Sequence, residues 1–157
     1  MIPVKPFNPS YDRTAKYTIK EVAAITGLSA HTIRYYDNEN LIPGVDRTDG
    51  NARLFSDYNI SWLHLVNCLR TTGLPVEQVR HYIRLCQKGD STIPERGEMI
   101  FKQKKVLRQQ IRDLQRQMEV LKYKEKYYKE KIKNPANDLC NPRTHVAQAE
   151  PGIVPEK

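Results

Sequence analysis

A basic and aromatic cluster lies in the stretch SAHTIRYYDNENL, residues 29–41. The guanidinium of Arg34 can donate two parallel hydrogen bonds to a guanine edge or to a phosphate, and the hydroxyls of Tyr35 and Tyr36 can donate to phosphate. An imidazole, His31, stands one helical turn before this group. These residue types are suited to recognising a nucleic acid.

The same stretch forms one polar face if it is helical. Around Ile33 as the core anchor, Ala30, Tyr36 and Asp37 lie within about 60°, at 100° per residue. The opposite face carries His31, Tyr35 and Asn38, with Thr32 and Arg34 at its flanks. Such a face is also typical of an ordinary solvated helix, so the helix alone leaves both interpretations open.

A second, shorter helix is predicted just before it. Thr18 and Glu21 have the spacing of a capping box, in which the threonine oxygen accepts a backbone N–H and the glutamate reaches back to the cap. Gly27 ends this helix and Ser29 caps the next one two residues later. Two short helices joined by a tight turn with glycine predict a helix-turn-helix.

A hairpin follows the polar helix. Asn40 tolerates the left-handed conformation that ends a helix, and the sequence LIP at 41–43 prevents its continuation. Asp-Gly at 49–50 lies between short extended runs and indicates a turn between two strands. Each arm carries an arginine, Arg47 or Arg53, so the hairpin is suited to be a wing that reaches phosphates or the minor groove.

Two further helices are expected behind the wing. Ser56 caps a helix that extends to about Thr72, with four residues inward: Trp62, Leu65, Val66 and Leu69. The sequence GLP at 73–75 interrupts it, and the next helix has the inner face Val76, Val79, Ile83 and Cys86. Residues 17–90 therefore form one compact domain, preceded by a disordered extension at residues 1–16.

The next segment, residues 91–133, is expected to be one long helix. From Glu98 to Ile132 it contains neither proline nor glycine, and apolar residues recur at intervals of three and four, interrupted by Lys104 and Glu125. This dimer seam consists of Ile100, Leu107, Ile111, Leu114, Met118, Leu121, Tyr128 and Ile132. No other part of the chain can cover so narrow a stripe, so we expect a homodimer. Residues 134–157 are expected to be a disordered tail.

The net charge of +8 is not evenly distributed along the chain. Residues 17–90 carry 8 basic and 8 acidic side chains, whereas residues 91–133 carry 13 basic and 6 acidic ones. A DNA-binding domain at 17–90 must therefore use individually placed cations. A different interpretation makes the chain a coiled-coil architectural or interaction protein that uses its basic helix.

Several classes of protein are disfavoured. No run of about 18 apolar residues or secretory signal is present, so we expect a cytoplasmic protein without membrane contact. Three widely spaced cysteines form neither a disulfide framework nor a zinc site. The four histidines match no hydrolase or metalloenzyme spacing, and no phosphate-binding glycine loop occurs. We expect no enzyme activity, no cofactor and no metal site.

The ordered motifs resemble those of the MerR (mercury-resistance regulator) family of bacterial transcription regulators over residues 17–132. They are TIKEVA at 18–23, GLS at 27–29, TIRYYD at 32–37, LIP at 41–43, RLF at 53–55 and LRxxGL at 69–74. Asn40 replaces the glycine that is usual in the family. The resemblance implies a mainly α fold: a winged helix-turn-helix, a second helix pair and a long dimerisation helix that forms an antiparallel coiled coil.

The resemblance also implies a mechanism. Family members bind a pseudo-palindromic promoter spacer as homodimers and distort the DNA, which affects RNA polymerase indirectly through the promoter. The deformation, a few kcal/mol, is offset by phosphate contacts. By carry-over, DNA is held by Arg34, Tyr35, Tyr36, Arg47 and Arg53; we add His31 and Thr32 as candidates for base contacts, and Thr18.

The signal that such a regulator senses is less constrained by the sequence. The segment around Cys68 is similar to the branch of the family that responds to aldehydes and electrophile stress, and His64, Arg70 and Thr72 lie near enough in sequence to activate a thiol. Cys68 is equally compatible with a small core residue. A metal ion or a small ligand is the alternative input, although Cys140 with His145 is a poor soft-metal site.

Overall fold

The computed structural model of the chain describes residues 9–135 and 138–143, and it is mainly helical. The chain divides into two compact units, Met1–Arg108 and Gln109–Lys157. The elements in order are β1 (Tyr17–Thr18), α1 (Ile19–Thr26), α2 (Ala30–Asn38), β2 (Asp46–Arg47), β3 (Arg53–Phe55), α3 (Asp57–Thr71), α4 (Val76–Lys88), a 3₁₀ turn (Asp90–Thr92) and α5 (Ile93–Lys133). The predicted mainly α fold, with a winged helix-turn-helix and a long C-terminal helix, is confirmed.

The two helices of the helix-turn-helix begin and end where the sequence predicts. The Thr18 backbone N–H donates to the Glu21 carboxylate at 2.7 Å, and the Glu21 N–H returns a bond to the Thr18 hydroxyl. Gly27 ends α1 with φ = 71°, and the Thr32 N–H donates to Ser29 Oγ at 3.0 Å. Asn40 takes φ = 56° after α2, which is the conformation for which the family usually has glycine.

The wing is a hairpin within a three-stranded antiparallel sheet of strand order β1-β3-β2. Sequence analysis predicted β2 and β3 but missed β1, in which Tyr17 pairs with Phe55. At the turn, the Asn51 N–H donates to the Thr48 carbonyl at 2.8 Å, and Asn51 has φ = 62°. Asparagine, rather than the neighbouring Gly50, therefore takes the left-handed position of this turn.

The core of the first unit lies between the sheet and helices α1 to α4. Val22, Ile33, Phe55 and Leu63 are completely buried in it. The predicted inner face of α3 was wrong in part, because Leu63 is buried whereas Trp62 and Leu65 only pack against the edge of the core. The remaining buried residues include Leu41, Val66, Leu69, Leu74, Val79 and Ile83.

Residues 9–16 follow the first turn of α3 closely, which corrects the expectation of a disordered extension for this part of it. The Asp12 carbonyl accepts the Tyr58 N–H at 3.0 Å, and the Ser10 N–H donates to Ser61 Oγ at 2.9 Å. The first N–H groups of a helix lack intrahelical partners, so Asp12 satisfies one of them. Lys16 pairs with the Asp57 carboxylate at 2.6 Å. Residues 1–8 lie outside the described part of the chain.

Helix α5 begins at Ile93, two residues later than predicted, and contains no buried residue. Every residue of the dimer seam is exposed, from 38% for Ile100 to 81% for Ile132.

In the second unit, the Tyr127 hydroxyl donates to the Asp138 carboxylate at 2.8 Å. Residues 138–143 of the expected disordered tail are thus described, whereas residues 136–137 and 144–157, including His145, lie outside the described residues. No helix among the described residues is long and apolar enough to cross a membrane.

Candidate nucleic-acid interface

Helix α2 presents the polar face that the sequence predicted. Ile33 is fully buried, whereas His31, Arg34 and Asn38 are exposed and Tyr35 is 41% exposed. The capped start of α2 and the buried Ile33 fix the direction of these side chains. The helix therefore holds a guanidinium, an imidazole and a phenol on one outward surface, which we call the reading face (His31, Arg34, Tyr35).

Tyr36 does not lie on the reading face, and its assignment as a DNA contact stays a prediction. It is only 6% exposed and belongs to the hydrophobic core. Burial raises the pKa of its hydroxyl, and the nearby Arg70 guanidinium opposes this shift. Its helical position next to Ile33 already indicated the core, and only the resemblance placed it on the DNA.

Thr18 and Thr32 stand at the starts of α1 and α2, and both hydroxyls already have partners. The Thr18 hydroxyl donates to the Glu21 carboxylate at 2.8 Å. The Thr32 hydroxyl lies 2.8 Å from the Ser29 hydroxyl. Both threonines stabilise the start of a helix, and contact with DNA would have to share or replace these hydrogen bonds.

The two wing arginines turn toward the end of α2. Arg53 Nε donates to Asp37 Oδ2 at 2.6 Å, and Arg53 Nη2 donates to Asn38 Oδ1 at 2.6 Å. Arg47 Nη2 lies 3.5 Å from the same carboxylate oxygen and its side chain is 42% exposed. One carboxylate, Asp37, thus joins both strands of the wing to the helix that carries the reading face. Sequence analysis placed Asp37 on the inner side of α2 but found no role for it.

Two further contacts, also missed by sequence analysis, hold the end of α2 and the loop after it. Arg80 Nε of α4 donates to the Glu39 carbonyl at 2.8 Å, and its Nη groups pair with the carboxylates of Glu39 and Glu77. A cation at the C-terminus of a helix also complements the helix dipole. Asn59, almost fully buried, donates to the Pro43 carbonyl at 2.8 Å. The position of α2 is therefore fixed by contacts distant in sequence.

The cysteines differ in exposure, because Cys86 and Cys140 are half-buried whereas Cys68 is exposed. Cys68 is exposed on α3, so its interpretation as a core residue is wrong. Of its proposed activating neighbours, Thr72 donates to the Leu69 carbonyl and Arg70 donates to the Leu74 carbonyl, each at 2.6 Å. Cys86 is half-buried, which raises the pKa of its thiol, and Arg96 Nη1 lies 3.6 Å from its sulfur.

No group of three or more histidine, cysteine or acidic side chains in the described ranges could hold a metal ion. The reading face, the wing and the Asp37 contacts therefore form the main assembly of polar side chains in the first unit. All of its members are suited to hydrogen bonding and charge pairing. None of them forms a nucleophile with an adjacent base, as hydrolytic catalysis would require.

Comparison with known proteins identifies the family of the chain. Residues 17–86 match the family profile described as MerR HTH family regulatory protein, and residues 60–123 match the one described as MerR, DNA binding. An uncharacterised HTH-type transcriptional regulator of Haemophilus influenzae is 37% identical over 112 residues, which span 71% of this chain and 83% of that protein. The chain belongs to the MerR family.

Other MerR relatives agree in sequence and in fold. The HTH-type transcriptional regulator AdhR of Bacillus subtilis is 37% identical over 82 residues, covering 52% of this chain and 59% of AdhR. The crystal structure of HiNmlR, a MerR family regulator lacking the sensor domain, bound to promoter DNA, matches with a TM-score of 0.62 and 34% identity over 76% of this chain and 94% of that one. The protein is a DNA-binding transcriptional regulator of the MerR type, a class that does not consist of enzymes.

The contacts of Asp37 predict that removing this acidic side chain weakens binding to DNA. Removing an acidic residue normally strengthens binding to DNA, because it lowers repulsion of the phosphates. If Asp37 positions the wing, Asp37→Ala instead weakens binding by about 10-fold, or about 1.4 kcal/mol. Fluorescence anisotropy at fixed salt, on a duplex selected from random DNA by the wild-type protein, measures the change.

The matched control is Asp49→Ala, which removes the same charge from the exposed turn of the wing. It should leave the affinity unchanged or increase it slightly. Circular dichroism melting of both variants separates loss of fold from loss of wing position. Equal or tighter binding by a folded Asp37→Ala variant would contradict a positioning role.

Proposed function

We propose that the protein acts as a homodimer that binds a pseudo-palindromic promoter spacer, distorts the DNA and so controls transcription in the bacterial cytoplasm. The observation that carries this proposal is the reading face, which exposes Arg34, Tyr35 and His31 on a helix fixed at both ends. The wing is held beside that helix by Asp37. A helix and a wing in this arrangement can contact a major groove and the adjacent phosphates together.

The charges of residues 17–90 support recognition of DNA by a few individually placed cations. Residues 17–90 have equal numbers of acidic and basic side chains, so a general attraction to DNA contributes little. Arg34 has no carboxylate partner among the described salt bridges, whereas Arg53 is paired with Asp37. Arg34 therefore keeps its donors for a base edge or phosphate, and the wing arginines combine positioning with their remaining donors.

The dimer seam supports the homodimer. It is exposed along the whole of α5 in the single chain, and apolar residues at intervals of three and four form the stripe that a second helix covers. A second copy offers a stripe of equal length and composition. A symmetric dimer places two reading faces on two half-sites, so the operator is expected to be pseudo-palindromic.

Distortion of the DNA follows from the resemblance to the family, and the geometry is compatible with it. Each copy would hold the duplex by a helix and a wing, and two such clamps on one spacer can bend or untwist the DNA between them. Bending a site of this size costs about 1–6 kcal/mol, a range that a few charge-assisted phosphate contacts can offset.

The exposure of Cys68 supports it as a sensor of electrophiles. A sensing thiol must be reachable by the reagent, and Cys68 is exposed whereas Cys86 is half-buried. With an aldehyde, the thiolate sulfur forms a bond to the carbonyl carbon, and the carbonyl oxygen becomes a hydroxyl by taking a proton from water. An adduct on Cys68 would change the exposed surface of α3, the helix behind the wing.

Replacement of Arg34 tests the DNA-binding proposal. Arg34→Ala should weaken binding to the selected duplex by about 1–3 kcal/mol, because a bidentate contact is lost. Anisotropy titrations over a range of salt concentrations then separate two kinds of contact: loss of a phosphate contact lowers the slope of log K against log salt by about 1, and loss of a base contact leaves it unchanged. The control Arg112→Ala removes an exposed arginine from α5. An unchanged affinity for Arg34→Ala would argue against the proposed interface and favour an architectural binder.

A charge in the dimer seam tests the homodimer. Leu114→Glu should convert the protein to a monomer at low micromolar concentration, because a carboxylate buried against an apolar partner costs several kcal/mol. Light scattering after size-exclusion chromatography gives the mass. Gln115→Glu adds the same charge one residue further along, outside the seam, and should remain dimeric. A monomeric wild-type protein, or a dimeric Leu114→Glu variant, would show that the seam has another role.

The sensor proposal is tested by transcription from the protein's own promoter, with and without formaldehyde or the thiol oxidant diamide. The response should be lost in Cys68→Ala, because no thiol remains at the exposed site on α3. Cys86→Ala removes a half-buried thiol and should keep the response. A Cys68→Ala protein that responds like the wild type would rule out this sensor.

A further inference from the structure

A cavity of about 390 Å³ lies in the first unit, on the side of α3 that faces the N-terminal segment. It is bounded by that segment, the first half of α3, the end of α4 and the start of α5. Its walls combine aromatic rings with a few polar groups, which is the composition of many small-molecule sites. Its lining includes Tyr58, Trp62, Leu65, Cys86 and Arg96.

The N-terminal wall of the cavity is held in place by specific contacts. Besides the backbone bonds of Ser10 and Asp12 to α3, the guanidinium of Arg13 lies 4.5 Å from the centre of the Tyr58 ring. Residues 9–16 precede the region matched by the family profile, which begins at residue 17. This wall therefore lies outside the part of the chain that the family profile matches, and it encloses one side of the cavity.

The cavity contains one positive charge and no acidic side chain. Arg96 is half-buried, and no carboxylate pairs with it among the described salt bridges. Its Nε donates to Thr92 Oγ1 at 3.1 Å, and Nη1 lies 3.6 Å from Cys86 Sγ. The Tyr82 hydroxyl also interacts with this guanidinium. A guanidinium has five N–H donors, so Arg96 retains donors for an anion. Of the other half-buried arginines, Arg53 and Arg80 have carboxylate partners within the chain, whereas Arg70 donates to the Leu74 carbonyl.

The opposite wall is aromatic and includes an unsatisfied donor. Tyr58 and Trp62 pack edge to face, with ring centres 5.8 Å apart, and Leu65 extends the apolar surface by one helical turn. The indole N–H of Trp62 is buried and has no hydrogen-bond partner in the part of the chain that the structure describes. A buried donor without a partner is unfavourable by about 1–3 kcal/mol. A small shift of the ring on ligand binding could satisfy it.

We propose that this cavity binds a small planar carboxylate, such as an aromatic acid. The carboxylate would accept paired hydrogen bonds from Arg96, and the flat apolar part would lie against Tyr58, Trp62 and Leu65. Paired bonds between a guanidinium and a carboxylate are strong and directional, particularly in a partly buried site. Neither the reading-face residues nor Cys68 line the cavity. A negative result for this ligand therefore leaves the proposed DNA-binding function unaffected.

The only tryptophan of the chain, Trp62, reports directly on this cavity. Titration of the full-length protein with benzoate should change the tryptophan fluorescence in a saturable way, whereas benzamide, the uncharged analogue of the same shape, should bind at least about tenfold more weakly. Arg96→Gln should weaken benzoate binding by a similar factor. Arg84→Gln removes an exposed arginine of the same region outside the cavity and should bind like the wild type.

A second variant guards against loss of the fold in Arg96→Gln. Leu65→Phe fills part of the cavity and keeps the tryptophan and the arginine, so it should also weaken benzoate binding, with unchanged circular dichroism. The proposal is overturned if benzoate gives no saturable signal, if benzamide binds as well as benzoate, or if Leu65→Phe and a folded Arg96→Gln variant both bind like the wild type.

Discussion

The position of the wing relative to α2, the helix that carries the reading face, depends on the carboxylate of Asp37. Its Oδ2 atom accepts a hydrogen bond from Arg53 at 2.6 Å and lies 3.5 Å from Arg47, on the other strand of the hairpin. A hairpin with strands of two and three residues has little stability of its own. A charge-assisted contact with limited exposure, 17% for Arg53 and 13% for Asp37, therefore has a large influence on where the wing lies. The pairing of β3 with β1 holds the other edge of the same strand.

The arginines in this arrangement have two different roles. Exposed ion pairs contribute little to the stability of a protein. Removing one partner of a mostly buried pair, in contrast, destabilises the protein strongly, because the other charge is left buried without a partner. Arg53 accordingly uses two of its donors within the protein, on Asp37 and Asn38, and contributes geometry more than free charge. Arg34 keeps its charge for a ligand. The net charge of zero for residues 17–90 fits these two roles. A domain that recognises DNA through individual contacts needs only a few cations, provided that they are in the right positions.

The features that sequence reasoning predicted are local ones. The caps at Thr18, Ser29 and Ser56 join residues three apart, and the hydrogen bonds of the hairpin turn join residues three or four apart, so a short stretch of sequence contains both partners. The contacts that it missed join distant residues: Arg53 with Asp37, Arg80 with Glu39, and Ser10 with Ser61. No pattern within a short window contains such pairs, because they depend on how the helices pack.

The error in the inner face of α3 has a more specific cause. On α3, apolar residues at 60, 62, 63, 65, 66 and 69 allow more than one inner face, and packing against the sheet selects the one through Leu63. For Tyr36, the helical geometry correctly indicated the core, whereas the DNA contact that the resemblance added stays a prediction. The exposure of Cys68 was not predictable, since it depends on the same choice of face.

The charges of α5 suggest why an apolar stripe, and not ion pairing, would select the partner. Acidic residues of this helix pair with basic residues three or four positions away on the same helix, as in Glu119 with Lys122 at 2.7 Å and Glu125 with Lys129 at 2.6 Å. Glu125, one of two polar residues in the seam, thus has a counter-charge on its own helix. Surface pairs of this kind contribute only about 0.3–0.5 kcal/mol each. They leave few acids to attract a second, equally basic helix, so burial of the seam has to overcome the mutual repulsion. An association that depends on apolar area should strengthen with salt, whereas binding to DNA weakens with salt.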